Sequence, residues 1–380
     1  MKGCDKLNKS ILIGNGINIA FSQNDDYKNF KIIERLTKYL DTERYSDVFN
    51  SSIESREIKQ LLEDLNDFFK KMLRGLSALK LTEDEEEMRT LIDIARRYNQ
   101  KPQELINVGI EDYFFVMKLV YNKVGDSEFT PINSLYDGLK MLFLDSIYND
   151  GDIEKLHNKM GYYSKELQRY NEIFTVNYDT NIDKLTDKEV YHLHGSFDVL
   201  DDTYRVETVN GLLASFKDIP PRIIETKSHL YCNAIMSYSG KKKKELMDLY
   251  SNANMALDTL VARLKNPNDI EAKEWFKKVE KSSEPSDRNL YISVKAKQTN
   301  SNLRNTEYPI DMFKNISGEL HVLGMSPNND SHIFEMINSN SKLKRVVYFS
   351  ASSDDSTAAQ AVIKHPLQIR NVHKYWESLR

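Results

Sequence analysis

Four short runs, SILI at 10–13, EIFTV at 172–176, LHVLGM at 320–325 and RVVYFS at 345–350, are apolar, β-branched or aromatic with no in/out alternation. A strand with one wet face alternates. A strand covered on both faces does not, and such coverage accompanies parallel sheets whose crossover helices lie on either side. EVYHLHG at 189–195 is a fifth, more polar run. Helix-like stretches follow the runs, so the expected fold is α/β with a Rossmann-like, mainly parallel sheet.

The spacing of the runs is uneven. Between the first and the second, EIKQLLEDLNDFFKKMLRGLSALK repeats Ile58, Leu61, Leu62, Leu65, Phe68, Phe69, Met72, Leu73 and Leu76 at helical steps, and EEEMRTLIDIARRY, EDYFFVMKLVYNK and NSLYDGLKMLFLDSIY behave alike. This predicts a large helical insertion after the first strand, over 31–165, set into a core made of 1–30, 166–205 and 318–380. Residues 206–317 form a lid or smaller subdomain, with a loop and helix through 231–266, a polar turn-rich stretch beyond it, and a strand at LYISV. The Lys241–Lys244 run is expected to be a solvated helix start, with contact to an anionic ligand or partner as the alternative.

A net charge of −4 and a pI near 6.1 supply no general attraction to phosphate backbones, so no direct nucleic-acid binding is expected. Two cysteines, Cys4 and Cys232, make neither a disulfide framework nor a four-thiolate zinc site. No run approaches about 18 apolar residues, and the N-terminus does not have the pattern of a signal peptide, which predicts a cytoplasmic protein without membrane attachment. His157, His229, His321, His332, His365 and His373 show no H-x-x-x-H type of spacing, so no metal is expected.

Three places carry chemistry. Gly14, Asn15 and Gly16 follow the first strand and precede a helix-compatible run, where glycines let backbone N–H groups approach a phosphate closely. Asn177 follows the second strand, and His194 ends the fifth run. In an open parallel sheet these strand ends share one edge, where ligands bind near a switch in strand order. His192, two residues before His194, faces the other way and is expected to be scaffold, and Asp183 to cap or solvate a helix start.

Taken together, GNGIN (Gly14, Asn15, Gly16, Asn18), TVNYD (Thr175, Asn177, Asp179), HLHG (His194, Gly195) and LGMS (Gly324, Ser326) resemble the ordered motifs of sirtuin-like proteins. The resemblance is to the bacterial sirtuin-like NAD-hydrolysing proteins of antiphage defence, with a more distant likeness to AbiH-type abortive-infection proteins. Sirtuin deacylases carry a four-cysteine zinc module before the late Gly-x-Ser, and this chain has only Cys232 there. The resemblance implies an NAD glycohydrolase that takes NAD as substrate, needs no metal, and forms ADP-ribose and nicotinamide to deplete NAD during infection.

On the same resemblance, Asn177 and His194 are catalytic: Asn177 orients the ribose hydroxyls and an attacking water, and His194 takes a proton. Gly14, Asn15, Gly16 and Asn18 line the diphosphate, Thr175 and Asp179 belong to the NAD-binding set, and Gly324 and Ser326 hold a ribose or phosphate from the far side. Asp330 and His332 stand behind them. A constitutive NADase is toxic, so control is expected through homo-oligomerisation, a HerA-type ATPase partner or a phage-derived activator. A non-hydrolytic NAD or ADP-ribose sensor and a zinc-free NAD-dependent deacylase are the competing implications.

Overall fold

The computed structural model describes residues 8–22, 25–45, 55–74, 81–99, 108–124, 129–200, 224–234, 240–299, 308–327 and 330–379. Six parallel strands form one sheet in the order β3-β2-β1-β4-β5-β6. They are β1 (Lys9–Ile13), β2 (Glu172–Thr175), β3 (Val190–His192), β4 (Gly318–Leu323), β5 (Leu343–Ser350) and β6 (Leu367–Asn371). The α/β, Rossmann-like expectation therefore holds. The lack of alternation in β1 and β4 has its predicted cause: Ile11, Leu12, Ile13, Leu320, Val322 and Leu323, which alternate between the two faces of the sheet, are all fully buried. Going outward from β1, chain order runs one way through β2 and β3 and the other way through β4 to β6, so the switch point lies between β1 and β4.

β6 is the strand absent from the sequence reading. LQIRN is an edge strand whose residues are mostly exposed, so burial put no apolar run there to be read.

Between β1 and β2 lie α1 (Gly16–Phe21), α2 (Asn29–Leu40), α3 (Ser55–Arg74), α4 (Glu85–Asn99), α5 (Ile110–Val124), α6 (Phe129–Tyr148) and a short α7 (Ser164–Leu167). The predicted stripe on α3 is buried, with Ile58, Leu65, Phe69 and Met72 packed among α5 and α6. Asp145 on α6 ties the insertion to the later chain. It accepts hydrogen bonds from Arg44, from the Tyr45 hydroxyl at 2.7 Å and from His229 at 2.9 Å, His229 lying in the 3-10 turn Glu225–Tyr231.

Three expectations for residues 206–317 are corrected. LYISV is not a strand but the middle of α10 (Pro285–Thr299), which with α8 (Gly240–Lys265) and α9 (Ile270–Glu280) forms a helical satellite. Leu257, Val261, Phe276, Val279 and Val294 make its own small core, and Tyr291 stacks on Phe276 at 5.4 Å. β-branched residues in LYISV mislead local propensity, and packing against two helices overrides it. The polar stretch expected to be turn-rich is likewise two helices. Lys243, expected in a solvated face, is fully buried with its Nζ 2.6 Å from Glu111. The side chains of Lys241 and Lys242, Cys4 and residues 206–223 lie outside the described set. After β4 come α12 (Ser331–Ser339), α13 (Ser353–Val362) and α14 (Val372–Leu379), with α11 (Ile310–Lys314) just before it.

Among the described residues no helix is long and apolar enough to cross a membrane.

Candidate active site

At the switch point the turns after β1 and β4 interlock. Gly14 N–H donates to the Leu323 carbonyl at 2.9 Å and Gly16 N–H to the Gly324 carbonyl at 2.8 Å. A Cβ on Gly16 would lie 2.6 Å from Gly324 Cα, and one on Gly14 would lie 2.5 Å from Met325 Cγ. Gly324 itself sits at φ +71, in the left-handed region. The glycines are thus required by two backbones packed against each other, and the N–H groups of Gly14 and Gly16 already have carbonyl partners.

Asn177 is held from both sides by its backbone. Thr175 Oγ1 donates to the Ile13 carbonyl at 3.0 Å and accepts from Asn177 N–H at 3.0 Å. On the other side His192 Nδ1 donates to the Asn177 carbonyl at 3.0 Å, while His192 Nε2 meets Asp183 at 3.1 Å. Burial alone would lower the His192 pKa, but the Asp183 carboxylate outweighs it and the net shift is upward. His192 is scaffold, as expected; Asp183 stands at the start of a short 3-10 turn (Asp183–Leu185), as expected, and also meets His192. With its main chain pinned, Asn177 is 6% exposed, and its side-chain Nδ2 has no hydrogen-bond partner among the described residues.

Asn18 and Asp179 form a second fixed pair. Asp179 accepts from Asn18 Nδ2 at 2.6 Å, and from Asn181 Nδ2 at 2.6 Å and Asn181 N–H at 3.1 Å. Burial nevertheless raises the Asp179 pKa, these donors opposing it. The other end of the Asn18 amide, Oδ1, is buried and has no partner among the described residues. A buried donor and acceptor left open in this way cost roughly 1–3 kcal/mol each unless a ligand or water meets them.

His194 follows β3, and its turn is fixed by Gly195 at φ +83, where a Cβ would lie 2.4 Å from the Asn233 carbonyl. Its Nε2 is 3.0 Å from Nε2 of His332, in the first turn of α12. Burial, reinforced by the Lys243 ammonium, holds both imidazoles well below the usual histidine pKa. Asp330, at the start of α12, is pushed up to about 7 by burial and by the Glu111 carboxylate, with Lys243 opposing. His332 is fully buried and its Nδ1 lacks a partner among the described residues.

These groups wall a cavity of about 190 Å³ whose lining includes Gly14, Asn15, Asn18, Asn177, Asp179, His194, Gly324 and Ser326. Asn177 and His194 therefore face one space. Two residues of the predicted set lie outside its lining: Thr175 supports the Asn177 turn from below, and Gly16 faces an adjoining cavity of about 780 Å³. The two cavities share Asn15, Tyr27, Asn29, Gly324, Met325 and Ser326. Asn15 Nδ2 donates to the Tyr27 carbonyl at 2.9 Å and pins the α1–α2 connection over that shared wall.

The insertion supplies the wall that sequence reasoning missed. Ile32, Glu111, Asp112 and Ile147 of the insertion line the smaller cavity beside Tyr27 and Asn29 from the end of the core segment, and no lysine or arginine is among its described lining residues. Glu111 is presented by the start of α5, where the Tyr98 hydroxyl donates to Asp112 at 2.6 Å and accepts from Gly109 N–H at 2.7 Å. No local pattern marks Glu111 or Lys243; the fold buries Lys243 and brings it against Glu111, which stays partly exposed. Comparison with protein-family models, with curated proteins and with solved structures returns no match for this chain. The functional reading rests on the geometry of the site and on the motif resemblance.

Proposed function

We propose that the chain is an NAD glycohydrolase that converts NAD and water to ADP-ribose, nicotinamide and a proton. One observation carries this reading: Asn177 and His194, from separate strand ends, wall the same cavity, and the Asn177 amide nitrogen there lacks a partner among the described residues. Departure of nicotinamide leaves a cationic, oxocarbenium-like ribose, so the site must position a nucleophile and tolerate positive charge; it need not protonate the leaving group. Glu111, Asp112, Asp179 and Asp330 around the cavity suit that cationic centre better than the diphosphate.

The smaller cavity alone falls below the range of about 300–1,000 Å³ usual for a ligand of appreciable size. Joined to its neighbour across the Gly324–Ser326 wall, it offers one compartment for nicotinamide ribose and a second for the adenosine half. In this assignment Asn177 Nδ2 donates to a ribose hydroxyl and Asn18 Oδ1 accepts from one. His194 is neutral near pH 7 and takes the proton of the attacking water. It does so in the tautomer whose Nε2–H donates to His332, which leaves the Nδ1 lone pair available. His332 then acts as a positioning residue.

Depletion of NAD in antiphage defence, control by self-assembly, and a HerA-type ATPase or phage component as activator belong to the same proposal and follow from the motif resemblance. The test is incubation of the full chain with NAD, alone and with the product of a neighbouring gene, with nicotinamide and ADP-ribose separated by chromatography. Turnover that falls about 10²–10⁴-fold in His194→Ala supports the base assignment. Turnover unchanged by that substitution overturns the mechanism, and tight NAD binding without turnover under any activating condition points to a sensor.

A further inference from the structure

We infer that His194, Asp330 and His332 form a binding site for a divalent transition-metal ion of the zinc class. One ligand atom from each residue lies within 4.8 Å of the others, and the two Nε2 atoms are 3.0 Å apart. Two imidazole nitrogens bound to one tetrahedral zinc at about 2.0–2.1 Å sit roughly 3.3 Å apart, so a small widening of the pair admits an ion between them. Two imidazoles and a carboxylate are a donor set that such ions favour.

Asp330 adds an independent sign. It occupies the N-cap position of α12, where an aspartate ordinarily accepts a helix N–H, yet its side chain makes no capping hydrogen bond. His194 and Asp330 line the cavity and His332 lies fully buried behind them, so an ion held here keeps a coordination position open to the cavity. The nearby ammonium of Lys243 opposes a second cation, but it is spent on Glu111 at 2.6 Å, a carboxylate outside the ligand set.

The site goes beyond the NAD reading and bears on it. An imidazole coordinated through Nε2 keeps its proton on Nδ1 and has no lone pair left for a water proton. Metal occupancy and base duty at His194 exclude one another, so the ion is an inhibitor of hydrolysis.

The test is calorimetric titration of the chelator-stripped full chain with Zn²⁺ in the absence of NAD, with Co²⁺ as a probe read by its visible absorption. One ion per chain is expected, with affinity lowered at least about 100-fold in Asp330→Asn and in His332→Gln. Thermal unfolding of each variant confirms that it is folded, and the two are chosen so that loss of one to misfolding leaves the other. No stoichiometric binding to the wild-type chain, or binding unchanged in the folded variants, overturns the site. Because the titration contains no NAD, its failure is distinct from failure of the hydrolase reading; where hydrolysis is seen, Zn²⁺ is expected to suppress it and a chelator to restore it.

Discussion

The two ends of β4 each carry a buried histidine–carboxylate cluster, and they differ in how completely their polar atoms are used. At the start of the strand Glu319 faces Arg345, Lys9 at 3.4 Å and His321 Nε2 at 2.7 Å, while His321 Nδ1 meets the Tyr170 hydroxyl at 2.8 Å. One tautomer satisfies both ring nitrogens: Nε2–H donates to Glu319 and Nδ1 accepts from Tyr170. Beyond the end of the strand the His194–His332 pair, Asn177 and Asn18 leave three buried atoms without a partner among the described residues: Asn177 Nδ2, Asn18 Oδ1 and His332 Nδ1. A closed network rigidifies a sheet, whereas open groups at a switch point are held ready for something not supplied by the chain.

Substitutions separate the two clusters. The largest effect is expected from Asn177→Ala, which removes the open amide: NAD hydrolysis should fall about 10³-fold, while stability stays within about 1 kcal/mol because no protein hydrogen bond of that side chain is lost. Parallel turnover and urea-unfolding measurements check this, and a large destabilisation would place Asn177 in the closed class. Next is Glu319→Ala, expected to cost about 3 kcal/mol by stranding the groups around a carboxylate that is 1% exposed. Its urea midpoint should drop while kcat per folded molecule remains near wild type.

The smallest effect is a pH slope. Burial would raise the Glu319 pKa, but hydrogen bonds from His321 and Arg345 outweigh it and hold it below the ordinary 4.5. The unfolded chain therefore takes up this proton first, so the stabilisation is full above 4.5 and drains away as pH falls through the folded value. Glu319→Gln should flatten that acid slope in urea titrations. An unchanged slope would show that other carboxylates carry it.

Much of this architecture was legible because burial dictates composition. The uniform runs of β1 and β4 announced covered strands, and the stripe from Ile58 to Leu76 announced a packed helix over the residues described. Asn177 and His194 were readable because parallel strands deliver their C-terminal ends to one edge. What escaped depended on partners distant in the chain. Lys243 looked solvated because its Glu111 partner lies 132 positions away. His194 and His332, 138 positions apart, share no local spacing, so their convergence had no signature in the sequence. The glycines of the first turn stand out in the sequence as a phosphate-type turn, but the close approach seen in the fold is that of one turn to another: a Cβ on Gly16 would meet Gly324.

The most direct measurement is a crystal structure of the full chain grown with ADP-ribose. The account predicts the terminal ribose in the smaller cavity, with a hydroxyl within hydrogen-bond distance of Asn177 Nδ2 and the ribose C1 facing His194, and the adenosine half beyond the Gly324–Ser326 wall. ADP-ribose seated elsewhere, or Asn177 and His194 on opposite sides of an empty cavity in a crystal saturated with it, would contradict the account.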